Sequence, residues 1–234
     1  MIPKIAWTHW DGEMSWLRRR GLDTFKQHNP DWKLYVCTTD ENIGKYGLHP
    51  ALAGDWTGWC NLLSAGGFAI DSDIIWCNPI PDEWLDCDVC AQTGSKGNVY
   101  QMAALGVVPQ NDLMVGAVSY CQRNAERMMD YVKDVFDIDD DIYQEFGVNA
   151  LLAVTKGDIQ RFGKIHRISH EDFCFYDWSN GPRQMWGKNE PSQVLPDTVI
   201  GVHWYGGSKL SKKYEYGAKE NGPSWLERLA SGGV

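Results

Sequence analysis

The chain has 234 residues, 43% hydrophobic and 23% charged, which argues against a disordered or low-complexity protein and allows one sizeable buried core. Its formal net charge is −9, and an acidic surface repels polyphosphate backbones, so no nucleic-acid partner is expected. No apolar run approaches the ~18 residues of a membrane span, and Met1-Ile2-Pro3-Lys4 opens no signal-peptide core, so no transmembrane segment and a cytoplasmic location are expected.

Seven cysteines without a leader read as reduced thiols. Cys87-Asp88-Val89-Cys90 is a lone pair and lacks the further ligands that a zinc site needs. Twelve tryptophans are many. Aromatic faces stack on nucleobases and sugar rings as well as filling cores, so most are assigned to packing and a few to a ligand.

In chain order, residues 3–7 read as a first buried strand. Residues 13–28 form a predicted helix, with Met14, Leu17 and Phe25 on one side and arginines on the other. Asn29-Pro30-Asp31 is a turn, Lys33 to Cys37 a second strand, and Thr38-Thr39-Asp40 the loop after it. This βαβ opening points to a Rossmann-like α/β layer. Residues 55–65 read as a helix running into Gly66-Gly67. Phe68-Ala69-Ile70 is then a short apolar strand ending at Asp71-Ser72-Asp73, and Asn78-Pro79-Ile80-Pro81 breaks the chain. Residues 98–108 read as a strand. Residues 119–136 form the clearest helix, with Cys121, Ala125, Met128, Val132 and Val135 at helical spacing. Residues 147–156 form another, 175–198 read as loops, and Val199 to Trp204 as a last strand. No repeat or linker interrupts the chain.

The chemistry centres on Asp71 and Asp73. Other D-x-D pairs (Asp86/Asp88, Asp137/Asp139, Asp139/Asp141) read as solvated turns. Asp71 and Asp73 directly follow a buried strand, and carboxylates at the carboxyl end of such a strand sit where ligands usually bind in α/β sheets. In an extended segment residues i and i+2 share one side. One carboxylate can therefore ligate a hard cation while the other orients water or ribose hydroxyls, and oxygen donors select Mg²⁺ or Mn²⁺. Taken alone, the triplet is equally well read as two aspartates capping a turn.

The surrounding residues extend the pattern. Gly66-Gly67-Phe68-Ala69-Ile70-Asp71-Ser72-Asp73-Ile74 resembles the signature of the DxD-containing sugar transferases, a glycosyltransferase family that includes yeast mannosyltransferases and capsular polysaccharide enzymes and is related to the clostridial glucosylating toxins. Ile2-Pro3-Lys4-Ile5 with Trp10-Asp11-Gly12 is similar to the family's opening strand and loop. His28-Asn29-Pro30-Asp31-Trp32 resembles the segment before its second strand, and His203-Trp204-Tyr205-Gly206-Gly207-Ser208 its closing element. Residues 85–195 carry little of the likeness.

The resemblance implies a GT-A type α/β fold, a Rossmann-like mixed sheet flanked by helices, in a single domain. Residues 1–80 would be the nucleotide-sugar half, 81–210 the acceptor half with the closing strand, and 211–234 a C-terminal tail. It implies a UDP- or GDP-linked sugar donor, a glycan or other hydroxyl acceptor, Mn²⁺ or Mg²⁺, and transfer of a hexose with retention. Trp10 would stack on the nucleobase. Asp71 would contact the ribose or sugar, and Asp73 would be the firmer metal ligand. Asp55 would belong to the donor site, His203 would reach the metal or diphosphate, and Ser208 and Lys209 would hold the diphosphate. Gln101, Glu145 and Asn149 are further polar candidates for the sugar. One departure stands out: where the family has an arginine three residues after the aspartate at 55, this chain has Gly58, which implies a different donor geometry, a replacement such as Lys96 or weakened activity, and leaves open a catalytically degenerate member.

Some residues have plainer readings. Trp10 also fits a core, and His203 a half-buried strand end. Lys212 and Lys213 read as solvated surface. His166 and His170 have the spacing of a helical metal pair, but only Cys174 stands nearby as a third ligand. Two other functions compete. A non-catalytic carbohydrate- or nucleotide-sugar-binding module is compatible with Gly58. A nucleotidyltransferase would carry a glycine-rich basic loop after the first strand, where this chain has Trp7-Thr8-His9-Trp10-Asp11-Gly12.

Overall fold

The computed structural model describes residues 1–93, 100–129, 140–172, 176, 178–189, 191 and 194–232. The strands are β1 (Ile5–His9), β2 (Lys33–Cys37), β3 (Gly67–Ile70), β4 (Ile74–Trp76), β5 (Val89–Thr93), β6 (Tyr100–Val107), β7 (Ile165–Ile168) and β8 (Gly201–His203). The helices are α1 (Trp16–His28), α2 (Glu41–Gly44), α3 (Pro50–Ala65), α4 (Asp112–Met129), α5 (Asp140–Tyr143), α6 (Val148–Thr155), α7 (Gly181–Met185), α8 (Lys209–Tyr214) and α9 (Trp225–Ala230). The chain divides into two compact units: Met1–Asp11, Trp32–Asp71 and Pro81–Ile168 form the first, and Gly12–Asp31, Ser72–Ile80 and Ser169–Val234 the second.

The first unit is a six-stranded mixed sheet flanked by helices, in the order β2-β1-β3-β6-β5-β7. β1 runs parallel to β2 and β3, β6 is antiparallel to β3 and β5, and β7 is parallel to β5. β3, the strand that leads directly into Asp71, lies between β1 and β6, and its Phe68 and Ile70 are buried. β2 has one neighbour and leaves Tyr35 and Val36 exposed. α3 packs on β1 and β3, α6 on β6, and α4 on α3 and α6. Leu52, Trp56, Trp59 and Leu62 of α3 meet Leu113, Cys121 and Phe146 in one apolar cluster.

The second unit has its own two-stranded sheet, β4 antiparallel to β8, with Ile74 opposite His203 and Trp76 opposite Gly201. α1 starts at Ser15, whose side chain accepts the Arg18 N–H, and packs on β4 and α9. Gly21 lets it do so, because a Cβ there would overlap the carbonyl oxygen of Ile74. Leu17, Val202, Trp204, Trp225 and Leu226 form this unit's core.

Several expected elements take different bounds. β1 is shifted from 3–7 to Ile5–His9 because its ladder with β2 pairs Ile5 with Lys33 and runs on to His9 and Cys37. The helix expected at 119–136 begins at Asp112, where the Asn111 side chain accepts the Leu113 N–H at 2.9 Å; Val132 and Val135 lie outside the described residues. The stretch 175–198, expected as loops, contains α7, which has Pro182 in its first turn. His166 lies on β7 beside Cys90 rather than on a helix, and Cys174 lies outside the described residues. Among the described residues no helix is long and apolar enough to cross a membrane.

Candidate metal centre

Asp71 follows β3 directly and its N–H donates to the Ala103 carbonyl at 3.0 Å, which continues the β3–β6 ladder by one residue. Asp73 precedes β4. Because β4 and β8 pair with Ile74 opposite His203, the next pair along brings Trp204 to Asp73, and the Trp204 N–H donates to the Asp73 carbonyl at 3.0 Å. The chain then turns sharply. Tyr205 adopts a positive φ of 54°, uncommon for a bulky residue, and swings the Gly206 N–H onto Asp73 Oδ2 at 2.6 Å. Glycine at 206 makes room for this, because a Cβ there would overlap the Arg18 guanidinium and press on Asp73 and Trp204.

The ladder also sets His203 Nε2 3.2 Å from the same Asp73 oxygen. Asp71, Asp73 and His203 together offer two carboxylate oxygens and one imidazole nitrogen, all within 4.8 Å of one another. Asp71 and Asp73 are half-buried and buried, and His203 is half-buried. Two hard oxygen donors and one imidazole nitrogen suit a divalent cation of the Mg²⁺ or Mn²⁺ kind, and no thiolate joins them to favour a softer ion.

Burial pushes the Asp73 carboxyl up, but His203, Arg18 and the Gly206 N–H outweigh burial and hold it well below the usual carboxylate range. Arg18 is buried and fully engaged. Its Nε donates to Glu215 Oε1 at 2.6 Å, Nη2 to Glu215 Oε2 at 3.3 Å, and Nη1 to Ser72 Oγ at 2.6 Å. Ser15 Oγ donates to Glu215 at 2.8 Å, and the guanidinium stands 5.1 Å from the Trp204 ring centre. Ser72, between the two aspartates, is thus tied to α1 through Arg18. Sequence reasoning missed both Arg18 and Glu215. The guanidinium supplies a fixed positive charge beside Asp73, whereas position 58, where an arginine was expected, faces β3, and a Cβ there would meet Ala69 at 3.8 Å. The alternative replacement, Lys96, lies outside the described residues.

Asp55 on α3 is half-buried, and burial, reinforced by the charge of Asp71, pushes its carboxyl well above the usual range. Trp10 follows β1, half-buried, with its N–H donating to the Cys37 carbonyl at 2.9 Å. The loop that carries it is pinned: Asp11 accepts from the Thr39 N–H at 3.0 Å and the Thr39 hydroxyl at 2.6 Å, and His9 Nε2 lies 2.9 Å from that hydroxyl. Ser208 caps α8 by accepting the Ser211 N–H at 3.1 Å, and Lys209, next in the chain, is exposed. Of the sequence candidates, the structure gathers Asp71, Asp73 and His203 into one donor set, and Asp55 is coupled to it through Asp71. Glu145 is occupied elsewhere, accepting from Tyr120 at 2.8 Å and from Arg127 and Asn149.

No family model matches the chain, and no curated protein does. Among solved structures it is similar to one described as "PaToxG Glycosyltransferase", 12% identical over 69% of this chain and 72% of that one, with a TM-score of 0.46. It is also similar to an active-site mutant of LgtC, 10% identical over 86% and 87% of the two chains, with a TM-score of 0.44.

Proposed function

We propose that the chain is a glycosyltransferase of the GT-A type that moves a hexose, with retention, from a UDP- or GDP-sugar to a hydroxyl acceptor. The observation that supports this most is the gathering of Asp71 and Asp73, between β3 and β4, with His203 of β8 into one oxygen-oxygen-nitrogen set. These residues would hold Mn²⁺ or Mg²⁺. When bound, such an ion neutralises charge on the donor's diphosphate as it becomes a leaving group.

The protein's own groups then position and stabilise. Trp10, on a loop fixed by Asp11 and Thr39, stacks on the nucleobase. Asp71 and Asp55 serve the ribose or sugar, and burial with the charge of Asp71 pushes the Asp55 carboxyl toward its neutral form. Ser208 and Lys209 hold the diphosphate; since Ser208 Oγ already accepts from Ser211, its O–H is what it offers a phosphate. Arg18 keeps Asp73 ionised and in place without touching substrate. Retention requires no carboxylate nucleophile if the leaving phosphate takes the acceptor proton, so catalysis consists of positioning and charge stabilisation. A second reading, a sugar- or nucleotide-sugar-binding module without turnover, is favoured by Gly58.

Thermal unfolding with a panel of UDP- and GDP-sugars, with and without Mn²⁺, separates the two. A ligand that binds only the folded state at 100 times its Kd adds about 2.7 kcal/mol, enough for a visible melting shift. The transferase reading expects one nucleotide sugar to shift the melt only with Mn²⁺, and Asp73→Asn to abolish that shift. Asp73→Asn should also lower turnover roughly a hundredfold to a thousandfold, about 3–4 kcal/mol of transition-state stabilisation. Turnover within a few-fold of wild type in a folded variant sinks the metal assignment. A metal-independent shift without turnover favours the binding module.

A further inference from the structure

The chain is acidic, yet the second unit concentrates positive charge around one cavity. This cavity of about 330 Å³ is lined by Trp178, Arg183, Ser208, Lys209 and Lys213, and no carboxylate lines it among the described residues. Lys209 and Lys213 are four apart on α8 and therefore share a face. Arg183 comes from α7, which packs on α8. All three side chains are exposed, and none of them is in an ion pair among the described residues. Lys213 Nζ stands 5.3 Å from the centre of the Tyr214 ring, a contact that leaves its charge unneutralised, so the three like charges repel one another and favour an anionic visitor.

The aromatic wall adds a second feature. Trp178 is 52% exposed, unlike most of the chain's tryptophans. Its ring meets Tyr205 edge-on at 5.4 Å, and Tyr205 in turn lies 4.3 Å from the His203 ring. Tyr205, 4% exposed, thus joins the aromatic wall of the cavity to the His203 side of the metal centre.

We propose that this cavity is the acceptor subsite and that it takes an anionic sugar, one carrying a phosphate or a carboxylate. Trp178 covers an apolar face of the sugar ring, and Arg183 and Lys213 hold the acid group, the guanidinium in a fork matched to either anion. Ser208 and Lys209 form the edge shared with the donor's diphosphate. The volume lies at the low end for small-molecule sites, which suits one charged sugar residue and not a long stretch of glycan. The proposal rests on the transferase reading.

Calorimetric titration of the full chain with glucose 6-phosphate, glucuronic acid and glucose tests it. At least one anion is expected to bind ten times or more tightly than glucose, and the affinity should fall as salt is raised. Which anion binds more tightly identifies the acid group. Arg183→Ala/Lys213→Ala, at two exposed positions, should remove that preference, and Trp178→Ala should weaken all three sugars. If neither anion outbinds glucose, or the preference survives in the double variant, the proposal is overturned. The Mn²⁺-dependent melting shift with nucleotide sugar is read on the same samples. If the double variant loses that shift along with the anion, the cavity belongs to the donor site and the proposal is overturned. If wild type itself shows no shift while anions bind at the cavity, the transferase reading fails, and with it the acceptor role.

Discussion

Arg18 shows how far a single side chain can reach. With 8% of its surface exposed, it forks onto Glu215, itself 3% exposed, and touches Ser72 between the two aspartates. Breaking a buried ion pair by removing one partner leaves the other charge uncompensated, at a cost of about 3–5 kcal/mol. Arg18→Met should lose about that much in urea unfolding, and Arg18→Met/Glu215→Leu should recover part of it. A single substitution costing under about 1 kcal/mol would show that the pair does not hold this region together. Asp55 makes a prediction of the opposite kind. Its folded pKa is raised by burial and by Asp71, so the folded state binds the proton more tightly than the unfolded chain, whose value is about 3.9. The resulting stabilisation is complete below about pH 4 and is lost as pH rises through the folded pKa. Without added metal, Asp55→Asn should therefore match wild type at pH 4 and melt above it at pH 8. A variant that melts lower than wild type by the same margin at both pH values would show that its carboxylate is instead satisfied in the fold. Asp71, Asp73 and His203 could be singled out as candidates only through the resemblance of residues 66–74 and 203–208 to a family's blocks, since the triplet alone reads equally well as a turn and a lone histidine as a strand end. Arg18 and Glu215 could not: they are 197 positions apart, and an arginine on the polar side of a helix reads as solvated until its partner is known.

At the scale of elements, the contact between α1 and β4 matters most to the site, because β4 begins one residue after Asp73. Replacing a helix-interior glycine by alanine ordinarily stabilises by about 0.8–1.0 kcal/mol. At Gly21 that gain competes with a Cβ driven into the Ile74 carbonyl, a backbone atom that cannot rotate aside. Overpacking of this kind costs about 1–3 kcal/mol, and more where backbone must move. Gly21→Ala is therefore expected to lower stability in spite of helix propensity and, by displacing β4, to weaken Mn²⁺-dependent donor binding. A stabilised variant with unchanged donor affinity would mean that α1 and β4 have slack. The same short elements limited what the sequence could disclose. β2 was legible residue for residue because it is bounded by a turn and a loop. β4 is three residues long, β7 four and β5 five, too few to establish a period, and their pairings are fixed by partners far along the chain. The helix at 112–129 was legible in its middle, where cysteine, alanine and methionine recur at helical spacing, but its start depends on the Asn111 cap rather than on any apolar repeat.

For the molecule as a whole, the α/β class followed from the βαβ opening, whereas the assignment of segments to units did not. The second unit gathers three separated stretches, including β4 from the first third of the chain and β8 from near its end. The last residues show the consequence. Lysines and glycines gave 211–234 the look of a tail, yet Trp225 and Leu226 are 2% and 0% exposed in the second unit's core. Ser224 and Glu227 also close a reciprocal capping box at the start of α9. Burying these two side chains contributes about 1.5–3 kcal/mol each, against a total stability of about 5–15 kcal/mol for a typical protein. Truncation after Ala218 should then lower the melting temperature by roughly 6–24 °C, taking about 2–4 °C per kcal/mol at this size. Trp225→Ala alone should cost about 3–5 kcal/mol as a large-to-small core change. Because β8 carries His203 in the same unit, both changes should also weaken Mn²⁺-dependent donor binding, although neither touches the metal centre. A truncated chain that melts within 2 °C of the full one, about 1 kcal/mol or less, would show that the core holds without α9 and that these residues are a tail in energetic as well as compositional terms.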